Sequence, residues 1–452
     1  MVPQGRQATI VAVATAAGAA GIGIVRLSGP DAIDIAQRLF RSTPLLGSRL
    51  RYVEFGIFLD AQSTQLDSGL AWVMKAPRSY TGEDTVELSA HGSDAILEAI
   101  VESAISRGAL LAEPGEFTKR AFLNGKLDLI QAESVVDLVQ SQWRPAVADA
   151  YSQSCGRLSD LVHELKENII SASALVEASL DFSEDVPAVS RQRVTCLVDE
   201  SIQLSTRLIE SFEGARRRHE GLHVVLVGRT NVGKSTLMNA LLGEDRSIVT
   251  AVPGTTRDLI EGRTVWRGLP VRVVDTAGLR STNDPVEIEG VRRTKTAIEE
   301  ADLVITVLDN SRPWDRDDGD VFELLGEVAG VIALNKSDLP CLMKIPELNR
   351  QQVPVSAREA IGLESLIEAA LASIPKQADE GGVGLTRQRH RDLLVQARSR
   401  MEAGRQLIGR GLIDECVSAE LQDALRAIGS ILGEGIEDQV LDKIFSEFCI
   451  GK

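Results

Sequence analysis

The sequence predicts a multidomain α/β protein: an N-terminal α+β domain, a helical domain that is discontinuous in sequence, and an inserted domain with a parallel sheet covered by helices on both faces. Three observations predict this fold class. Strand-like and helical patterns alternate in the first third, a long helical pattern fills the middle, and a glycine-rich phosphate-binding motif separates it from a second helical pattern. At 452 residues the chain is long enough for about three domains. We place the boundaries at 1–122, 123–216, 217–376 and 377–452.

Composition and charge narrow the class of protein. The net charge of −16 is opposite to that of proteins whose main task is coating nucleic acid, so any such contact requires a local patch or a partner. The five cysteines are scattered without a Cys-x-x-Cys pair, which favours a reducing compartment and gives no zinc signal. The uncharged run Ala8–Val25 imitates a secretory signal, but its glycines and strand-like alternation argue against one. We therefore expect a cytoplasmic protein with no membrane segment.

The N-terminal third predicts an α+β domain that ends near Phe122. Its expected strands are Thr9–Ala14, Gly23–Leu27, Leu70–Met74 and Thr85–His91, and its expected helices are Asp31–Phe40 and Ser93–Arg107. Asp31 follows a Gly-Pro turn, as expected for the capped start of a helix. His91 is more typical of a structural or surface histidine than of a catalytic base.

The middle of the chain predicts long antiparallel helices. From Leu127 to about Arg218 there is almost no glycine or proline, and apolar residues recur at helical spacing until Asp181–Pro187 interrupts them. The basic cluster Arg216–His219 fits a solvated helix end or an RNA contact, and the pattern favours the first. Beyond the inserted domain, helical patterns resume at Arg387–Leu412 and Cys416–Leu432.

The inserted domain opens with the phosphate loop, Gly228-Arg-Thr-Asn-Val-Gly-Lys-Ser235, which follows the apolar run Leu222–Val227 and precedes a helical pattern. Strand, glycine-rich turn and helix together are the context that a phosphate-binding loop needs. The glycines let the backbone wrap closely around an anion, and the N–H groups of the helix start face the phosphates. Lys234 is expected to reach the outer phosphates, and the Ser235 hydroxyl suits Mg²⁺.

Two further motifs suit magnesium and the γ-phosphate. Within Pro253-Gly-Thr-Thr-Arg-Asp258 we choose Thr256 as the residue that completes the Mg²⁺ shell. The strand Leu269–Val274 leads into Asp275-Thr-Ala-Gly278, where Asp275 suits an indirect magnesium role and Gly278 the γ-phosphate.

A second pair of motifs indicates guanine as the base. The strand Val331–Leu334 ends in Asn335-Lys-Ser-Asp338, where a carboxylate can accept two hydrogen bonds that guanine donates and adenine cannot. Ser356-Ala-Arg358 is placed to pack against the guanine edge. Together, at the strand ends of a parallel sheet, these motifs predict a GTP site. Its predicted residues are Asn231, Val232, Gly233, Lys234, Ser235, Thr236, Thr250, Ala251, Val252, Pro253, Gly254, Thr255, Thr256, Asp275, Thr276, Ala277, Gly278, Asn335, Lys336, Ser337, Asp338, Ser356, Ala357 and Arg358.

Catalysis needs a group that the motifs themselves do not supply. Leu279 follows Asp-Thr-Ala-Gly, and a leucine cannot orient water as the glutamine of small Ras-like GTPases does. Asn231 is placed to help bind a monovalent cation, whose charge would stabilise the transition state. Glu287 is our candidate for orienting the water, although spacing alone favours a carboxylate that merely complements a helix N-terminus.

The GTP motifs, with Asn231 and Leu279, resemble the TrmE-Era-like group of translation GTPases, whose G domain is a Ras-like P-loop fold. Three further motifs extend the resemblance over essentially the whole chain to the MnmE (TrmE) family of tRNA modification GTPases: Ser79-Tyr-Thr-Gly-Glu-Asp84, Pro114-Gly-Glu-Phe-Thr-Lys-Arg-Ala-Phe-Leu-Asn124 and Phe448-Cys-Ile-Gly-Lys452. The resemblance implies a folate-binding N-terminal domain that forms a homodimer, and K⁺-stimulated GTP hydrolysis with Mg²⁺.

The resemblance also implies partners and a reaction. An MnmG-type partner, which alone carries FAD, would join the homodimer in a heterotetramer that binds tRNA. The complex would install an aminomethyl or carboxymethylaminomethyl group on C5 of wobble uridine in certain tRNAs. A one-carbon folate, 5,10-methylenetetrahydrofolate or 5-formyltetrahydrofolate, would supply the carbon.

Individual residues take roles from the same resemblance. The implied folate contacts are Arg26, Glu87, Lys126 and Lys452. These suit a ligand with carboxylates and ring N–H donors, while surface salt bridging is the plain alternative. The implied K⁺ ligands are the Asn231 side chain and groups of Thr250, Val252 and Thr255. The chain departs from the family pattern at Ala16–Ala20, at Glu113, where arginine is usual, and at Thr230, where proline is common.

Two other functions stay open at this point. One is a ribosome-assembly GTPase of the Era type, which needs a basic RNA-binding module that this acidic chain does not display. The other is a folate-binding scaffold whose G domain only regulates association with a partner.

Overall fold

The computed structural model describes residues 8–48, 52–141, 144–181, 188–243, 260–276, 294–325, 328–346, 350–374, 384–410 and 415–452. The chain divides into two compact units. The first unit comprises Met1–Gln140, Ala150–Ile209 and Gln388–Lys452, and the second comprises Ser141–Asp149 and Glu210–Arg387. The second unit therefore interrupts the first, as the predicted fold class requires. The four domain boundaries stay predictions.

A seven-stranded sheet forms the N-terminal part of the first unit. Its strands are β1 Ile10–Val13, β2 Ala20–Ser28, β3 Phe40–Ser42, β4 Val53–Leu59, β5 Gln65–Met74, β6 Thr85–Gly92 and β7 Leu110–Leu111, and its helices are α1 Ala32–Leu39 and α2 Asp94–Ile105. The strands lie in the order β3-β4-β5-β6-β2-β1-β7, and only β1 and β7 pair in parallel. The mixture of sheet and helices is the α+β domain that the sequence predicts.

One face of this sheet is covered by α1 and α2. Val25, Leu88 and Ala71 are cross-strand neighbours on that face, and all three are fully buried. They share one apolar core with Ile35 of α1 and Ile100 of α2. Because successive strand residues point to opposite faces, the intervening residues form a second face with a different environment.

The predicted strands and helices of this domain are confirmed, with shifts at their ends. One detail was wrong: Asp31 is the N-cap residue of α1, but its side chain makes no capping bond, and its own N–H donates to Thr9 Oγ1 at 2.9 Å. The sequence did not predict β3, β4 or β7. Strands β3 and β7 are too short to show a period, and β4 is apolar at nearly every position, which hides the alternation.

Long helices make up the rest of the first unit. Those described are α3 Glu116–Leu123, α4 Leu129–Gln140, α6 Arg157–Asp181, α7 Ala188–Glu210, α12 Gln388–Gly409, α13 Glu415–Leu432 and α14 Asp438–Ser446, while α5 Arg144–Ser154 lies at the boundary with the second unit. The predicted helical patterns are confirmed. Apart from Asp181, the expected break Asp181–Pro187 lies outside the described residues. Among the helices that are described, none has the length and apolar character needed to cross a bilayer.

A buried ionic cluster joins helical segments that are distant in sequence. Glu133 of α4 is 2% exposed, and its Oε2 lies 2.7 Å from His390 Nε2 and accepts from Arg389 Nη2 at 3.0 Å. Arg389 also donates to the carbonyl of Ser430 in α13 at 2.9 Å. The cluster therefore ties α12, the helix that follows the inserted unit, to helices on both sides of that unit in the sequence.

The second unit is built on a six-stranded sheet. Its strands are β8 Leu222–Val227, β9 Ile260–Trp266, β10 Leu269–Asp275, β11 Leu303–Asp309, β12 Gly330–Asn335 and β13 Gln352–Pro354, and its helices include α8 Phe212–Glu220, α9 Lys234–Leu242, α10 Arg316–Glu323 and α11 Leu363–Ser373. The order is β13-β12-β11-β8-β10-β9. Five strands are parallel, as predicted, and β9 pairs antiparallel with β10 at the edge of the sheet.

Both faces of this sheet are buried, which explains why its strands read as continuous apolar runs. Leu226 packs on one face with Leu237 of α9 and Leu366 of α11. Val225, on the other face, packs with Val321 of α10. The prediction of helices on both faces is confirmed.

The chain enters and leaves the second unit at one place. The N–H of Leu385 donates to Ser211 Oγ at 3.3 Å, and a Cβ added to Gly384 would lie 2.6 Å from the Cβ of Ala215. The two ends of the segment Glu210–Arg387, which makes up most of the second unit, are thus in direct contact.

Candidate functional site

The phosphate loop adopts a backbone that requires its two glycines. Gly228 has φ +159°, and a Cβ there would lie 2.4 Å from the carbonyl oxygen of Val307. Gly233 has φ +96°, and a Cβ there would lie 2.3 Å from Asn335 Nδ2. Asn231, between them, also has a positive φ, +65°. The loop is therefore pressed against the carboxyl ends of β11 and β12, and α9 starts directly behind it at Lys234.

Lys234 and Ser235 lie in the first turn of α9. Lys234 is only 7% exposed, and its ammonium group donates to the carbonyls of Gly228 and Arg229 at 3.0 and 2.9 Å. Burial lowers the pKa of Lys234, and the nearby Asp275 carboxylate opposes that shift. Ser235 Oγ donates to Asp275 Oδ2 at 2.5 Å. Lys234, which is predicted to bind phosphate, thus lies beside Ser235 and Asp275, which are predicted to act on magnesium.

The environment of Asp275 fits a hard cation. Its Oδ1 is buried and has no hydrogen-bond partner among the described residues. Burial raises the pKa of its carboxyl, although the Ser235 hydroxyl and the Lys234 charge act in the opposite direction. An unsatisfied carboxylate oxygen beside a serine hydroxyl is an oxygen donor set of the kind that Mg²⁺ prefers. These two residues therefore fit the metal that the sequence predicts.

Asn335 braces the predicted base-binding segments. Its Nδ2 donates to the carbonyl of Val232 at 2.9 Å, and its Oδ1 accepts from the N–H of Ala357 at 3.0 Å. Ser356 is fully buried and donates through Oγ to Asp338 Oδ1 at 2.6 Å, which lowers the pKa of Asp338. The Asp338 carboxylate is thereby held in place and ionised, as an acceptor for guanine must be.

Asp309 is a site residue that sequence reasoning missed. Lys336, with φ +63°, donates through Nζ to Asp309 Oδ2 at 2.6 Å and to the carbonyl of Asn231 at 3.2 Å. Burial raises the pKa of Asp309, but hydrogen bonds from Lys336 and Ser311 outweigh it, and the net pKa is below the ordinary value. Asp309 therefore orients a predicted GTP residue against the phosphate loop. Its position at the carboxyl end of a buried strand was the signal that could have found it.

Arg229, in the phosphate loop, was also missed. Its guanidinium pairs with Asp315 and with Asp317, the latter at 2.7 Å, at the start of α10. Asp315 is also the N-cap residue of that helix and forms a capping box with Asp318. The loop is thus anchored to α10 as well as to the strand ends.

The remaining predicted site residues fall in three groups. Thr276 is buried and donates to the carbonyl of Leu226 at 2.8 Å, and the N–H of Ser337 donates to the carbonyl of Val355 at 3.0 Å. Thr236 and Arg358 are exposed. The predictions that lie outside the described residues are Thr250, Ala251, Val252, Pro253, Gly254, Thr255, Thr256, Ala277, Gly278 and Glu287.

A second candidate site lies on the N-terminal sheet of the first unit. Arg26 of β2 and Glu87 of β6 are cross-strand partners, and Arg26 Nε donates to Glu87 Oε1 at 2.8 Å. Their side chains are 16% and 14% exposed. The structure therefore brings together two of the four residues for which a folate contact was predicted.

Aromatic rings and the end of the chain hold Arg26. The guanidinium carbon lies 5.7 Å from the centre of the Tyr80 ring and 5.6 Å from that of Phe117. Arg26 Nη1 donates to the carbonyl of Gly451 at 3.2 Å, and the N–H of Phe117 donates to the carbonyl of Lys452 at 3.2 Å. The predicted residue Lys452 is thus adjacent to the Arg26–Glu87 pair through its backbone.

Lys126 makes its hydrogen bond elsewhere. Its Nζ donates to the carbonyl of Pro77 at 3.0 Å, and its side chain packs over Gly82 in the Ser79–Asp84 motif. The structure shows no contact of Lys126 with Arg26 or Glu87 among the described residues, so its folate role stays a prediction.

Two other predictions concern residues outside these sites. His91 is a surface histidine whose Nδ1 lies 2.8 Å from Asp67 Oδ1. In the basic cluster, Arg216 and Arg217 both donate to Asp302 Oδ1, at 2.8 and 3.0 Å. These two cations are therefore paired within the second unit, which supports the structural interpretation over an RNA contact.

Family models and relatives match nearly all of the chain. A model described as the GTP-binding protein TrmE N-terminus matches residues 9–126, and one described as the MnmE helical domain matches 129–449. The chain is 43% identical to the tRNA modification GTPase MnmE of Geobacter sulfurreducens and 41% identical to that of Aquifex aeolicus. Each alignment covers 98% of this chain and 99% of the relative.

Part of the chain is also similar to solved structures of other G domains. The G domain of the T. maritima FeoB iron transporter is 26% identical over 34% of this chain and 98% of its own, with a TM-score of 0.28.

Proposed function

The chain belongs to the MnmE family of tRNA modification GTPases, and on that premise we propose that it hydrolyses GTP to drive a step in the modification of tRNA. One observation in the structure supports the nucleotide part of this proposal most strongly. Asn335 bonds both to the phosphate loop at Val232 and to the base-binding segment at Ala357. A single side chain thereby fixes the spacing between the phosphate end and the base end of the site.

Each part of the site would contribute a separate interaction with GTP. Lys234 would move from its carbonyl acceptors to the outer phosphates, whose negative charge is the stronger partner. Ser235 and Thr256 would hold Mg²⁺, with Asp275 in an indirect role through its bond to Ser235, and this ion would neutralise charge on the phosphates. Asp338, kept ionised by Ser356, would accept hydrogen bonds from guanine. Lys336, held by Asp309, would lie along the base-proximal side of the phosphate loop.

The catalytic part of the proposal concerns residues that flank this site. Asn231, Thr250, Val252 and Thr255 would hold K⁺, and Glu287 would orient the attacking water in place of the missing glutamine. The carbonyl of Asn231 accepts from Lys336 Nζ, which links this residue of the phosphate loop to the base-binding segment. Replacing Glu287 with alanine should remove most of kcat and leave the affinity for GTP unchanged. Full activity of that variant would return Glu287 to the role of a helix-end carboxylate.

The rest of the proposal concerns the first unit and its partners. Arg26, Glu87, Lys126 and Lys452 would bind a one-carbon tetrahydrofolate, since paired charges on a sheet face suit a ligand with ring donors and carboxylates. The protein would act in the cytoplasm as a homodimer with an FAD-carrying MnmG-type partner. The product would be wobble uridine that carries an aminomethyl or carboxymethylaminomethyl group at C5.

The proposed function is tested by the mass of wobble uridine in tRNA from a strain that lacks the gene. We expect the C5 group to be missing, to return with the wild-type gene, and to stay missing with Lys234→Ala or Ser235→Ala. Unchanged tRNA in the deletion strain would support a ribosome-assembly role instead. Restoration by both variants would support a folate-binding scaffold with a merely regulatory G domain.

A further inference from the structure

The described residues cover only half the width of the second face of the N-terminal sheet. Beneath Tyr80 and Phe117, the β1 end of this face is closed, and Ile10 and Ala12 are buried with those rings. At the other end, the side chains of Val53, Phe55 and Leu70 form an open strip, 57%, 67% and 42% exposed. Apolar side chains this exposed, side by side on neighbouring strands, indicate a surface that contacts another molecule.

The Arg26–Glu87 pair stands at the border between the covered and the open half. One row of cross-strand partners runs from Arg26 to Glu87, Trp72 and Val53. On the Arg26 side of Glu87, the space is filled by the aromatic rings of Tyr80 and Phe117 and by the carbonyl of Gly451. A ligand that reaches the Glu87 carboxylate must therefore approach from the β5 side, over Trp72.

Glu87 has one oxygen to offer such a ligand. Its Oε1 accepts from Arg26, whereas its Oε2 has no hydrogen-bond partner among the described residues. The Arg26 guanidinium, fixed by two rings and a carbonyl, holds the carboxylate at a set angle. A carboxylate oriented in this way suits the N–H groups along one edge of a flat heterocycle.

Trp72 is the next residue along the row and is half-buried. Cross-strand partners have Cβ atoms about 5 Å apart, so the indole lies beside the carboxylate on the same face. Its side chain shows neither an aromatic neighbour nor a hydrogen bond in the described part of the chain. A flat ring bonded to Glu87 would have this indole as its nearest aromatic surface.

We propose that Trp72 is the stacking platform of the N-terminal site, and that it binds the bicyclic pterin of a reduced folate whose edge bonds to Glu87. The inference rests on the proposed folate binding and adds to it the residue that selects a flat ring. The open strip then receives the apolar benzoyl part of the same ligand. Arg26 orients the Glu87 carboxylate for this bond.

Calorimetry with 5-formyltetrahydrofolate on the full-length protein tests the proposal. We expect Trp72→Ala to weaken binding about tenfold, since an aromatic pair contributes about 1.4 kcal/mol, and Trp72→Phe to stay within about threefold of wild type. Tryptophan fluorescence should be quenched by the ligand in wild type and much less in Trp72→Phe. Leu110→Ala, on β7 at the opposite edge of the sheet, removes a similarly exposed apolar side chain and is the control; it should bind folate as wild type does.

The outcomes separate this inference from the function on which it rests. If the wild-type protein binds no folate, the proposed function of the N-terminal site is wrong. If wild type binds and Trp72→Ala binds equally well, only the platform is wrong. Trp72→Ala could instead change the oligomeric state while the affinity for folate stays that of wild type. The indole would then lie in a subunit contact, and the proposal would be overturned.

Discussion

Replacing Gly451 with alanine should displace the segment Cys449–Lys452 from the N-terminal sheet. Gly451 has φ +90°, and a Cβ there would lie 2.1 Å from the carbonyl oxygen of Val13, a distance that no real contact shows. Gly435 is the matched control because it also has a positive φ, +66°, but open space around its Cβ position. Both substitutions incur about 1–2 kcal/mol for a left-handed alanine. Only Gly451→Ala adds the steric overlap with β1.

The size of the additional effect follows from the hydrogen bonds of the tail. Its carbonyls at Cys449, Gly451 and Lys452 accept from Gly115 N, Arg26 Nη1 and Phe117 N at 3.4, 3.2 and 3.2 Å. Moving the tail breaks these three bonds, at about 1 kcal/mol each, and costs less than breaking the β1–β2 ladder. A loss of about 3 kcal/mol corresponds to local opening roughly 100-fold more often.

Amide hydrogen exchange measures that opening directly. The amide of Phe117 should exchange about 30- to 100-fold faster in Gly451→Ala than in Gly435→Ala, while amides of β8 in the other unit stay unchanged. Folate affinity should fall in parallel, because Arg26 loses the acceptor that fixes it. Equal exchange at Phe117 in the two variants would refute the reasoning, since both share the backbone strain and differ only in the overlap.

Three other predictions concern the nucleotide site and the helical cluster. GTP hydrolysis should be at least about tenfold faster in KCl than in NaCl, because a fitting cation offsets transition-state charge, and equal rates would remove the cation from the mechanism. Asp338→Asn should lower GTP affinity about 100-fold and favour XTP in competition binding, because the amide presents a donor where guanine also donates; an unchanged preference would contradict the assignment. Glu133→Ala should lower the free energy of unfolding of the first unit in urea by about 3–5 kcal/mol, because it removes the carboxylate that pairs with buried His390 and with Arg389. Glu434→Ala, which removes the exposed partner of Lys166, should cost under about 1 kcal/mol, and equal losses would show that the buried cluster is not a stabilising feature.

The sequence predicts best what depends on local pattern. The strand Leu222–Val227 is observed with those bounds, because an apolar run that ends in a glycine-rich turn leaves few alternatives. The two glycines of the phosphate loop were expected from backbone freedom alone, and the structure adds what each of them faces. The same holds for the long helices, whose period is repeated over many residues.

Contacts between residues that are distant in sequence could not be predicted from the sequence pattern. Asp309 is the last residue of β11, and Lys336 directly follows β12. Their pairing depends on the adjacency of these two strands in the sheet, which periodicity does not give. Glu133 and His390 meet only because separate segments of the chain assemble one group of helices. The start of α1 likewise involves a residue distant in sequence, because the hydroxyl of Thr9, which precedes β1, accepts from the N–H of Asp31.

The contact of Ser211 with Leu385 has a consequence for how this chain is assembled from its parts. Because the two ends of the segment Glu210–Arg387 lie next to each other, this segment can be connected to the rest of the chain at closely spaced points. Replacing residues 211–385 with a short glycine-containing bridge should therefore leave the remaining segments able to fold together. A domain whose two ends lie close together can be inserted into another domain, or removed from it, as one unit.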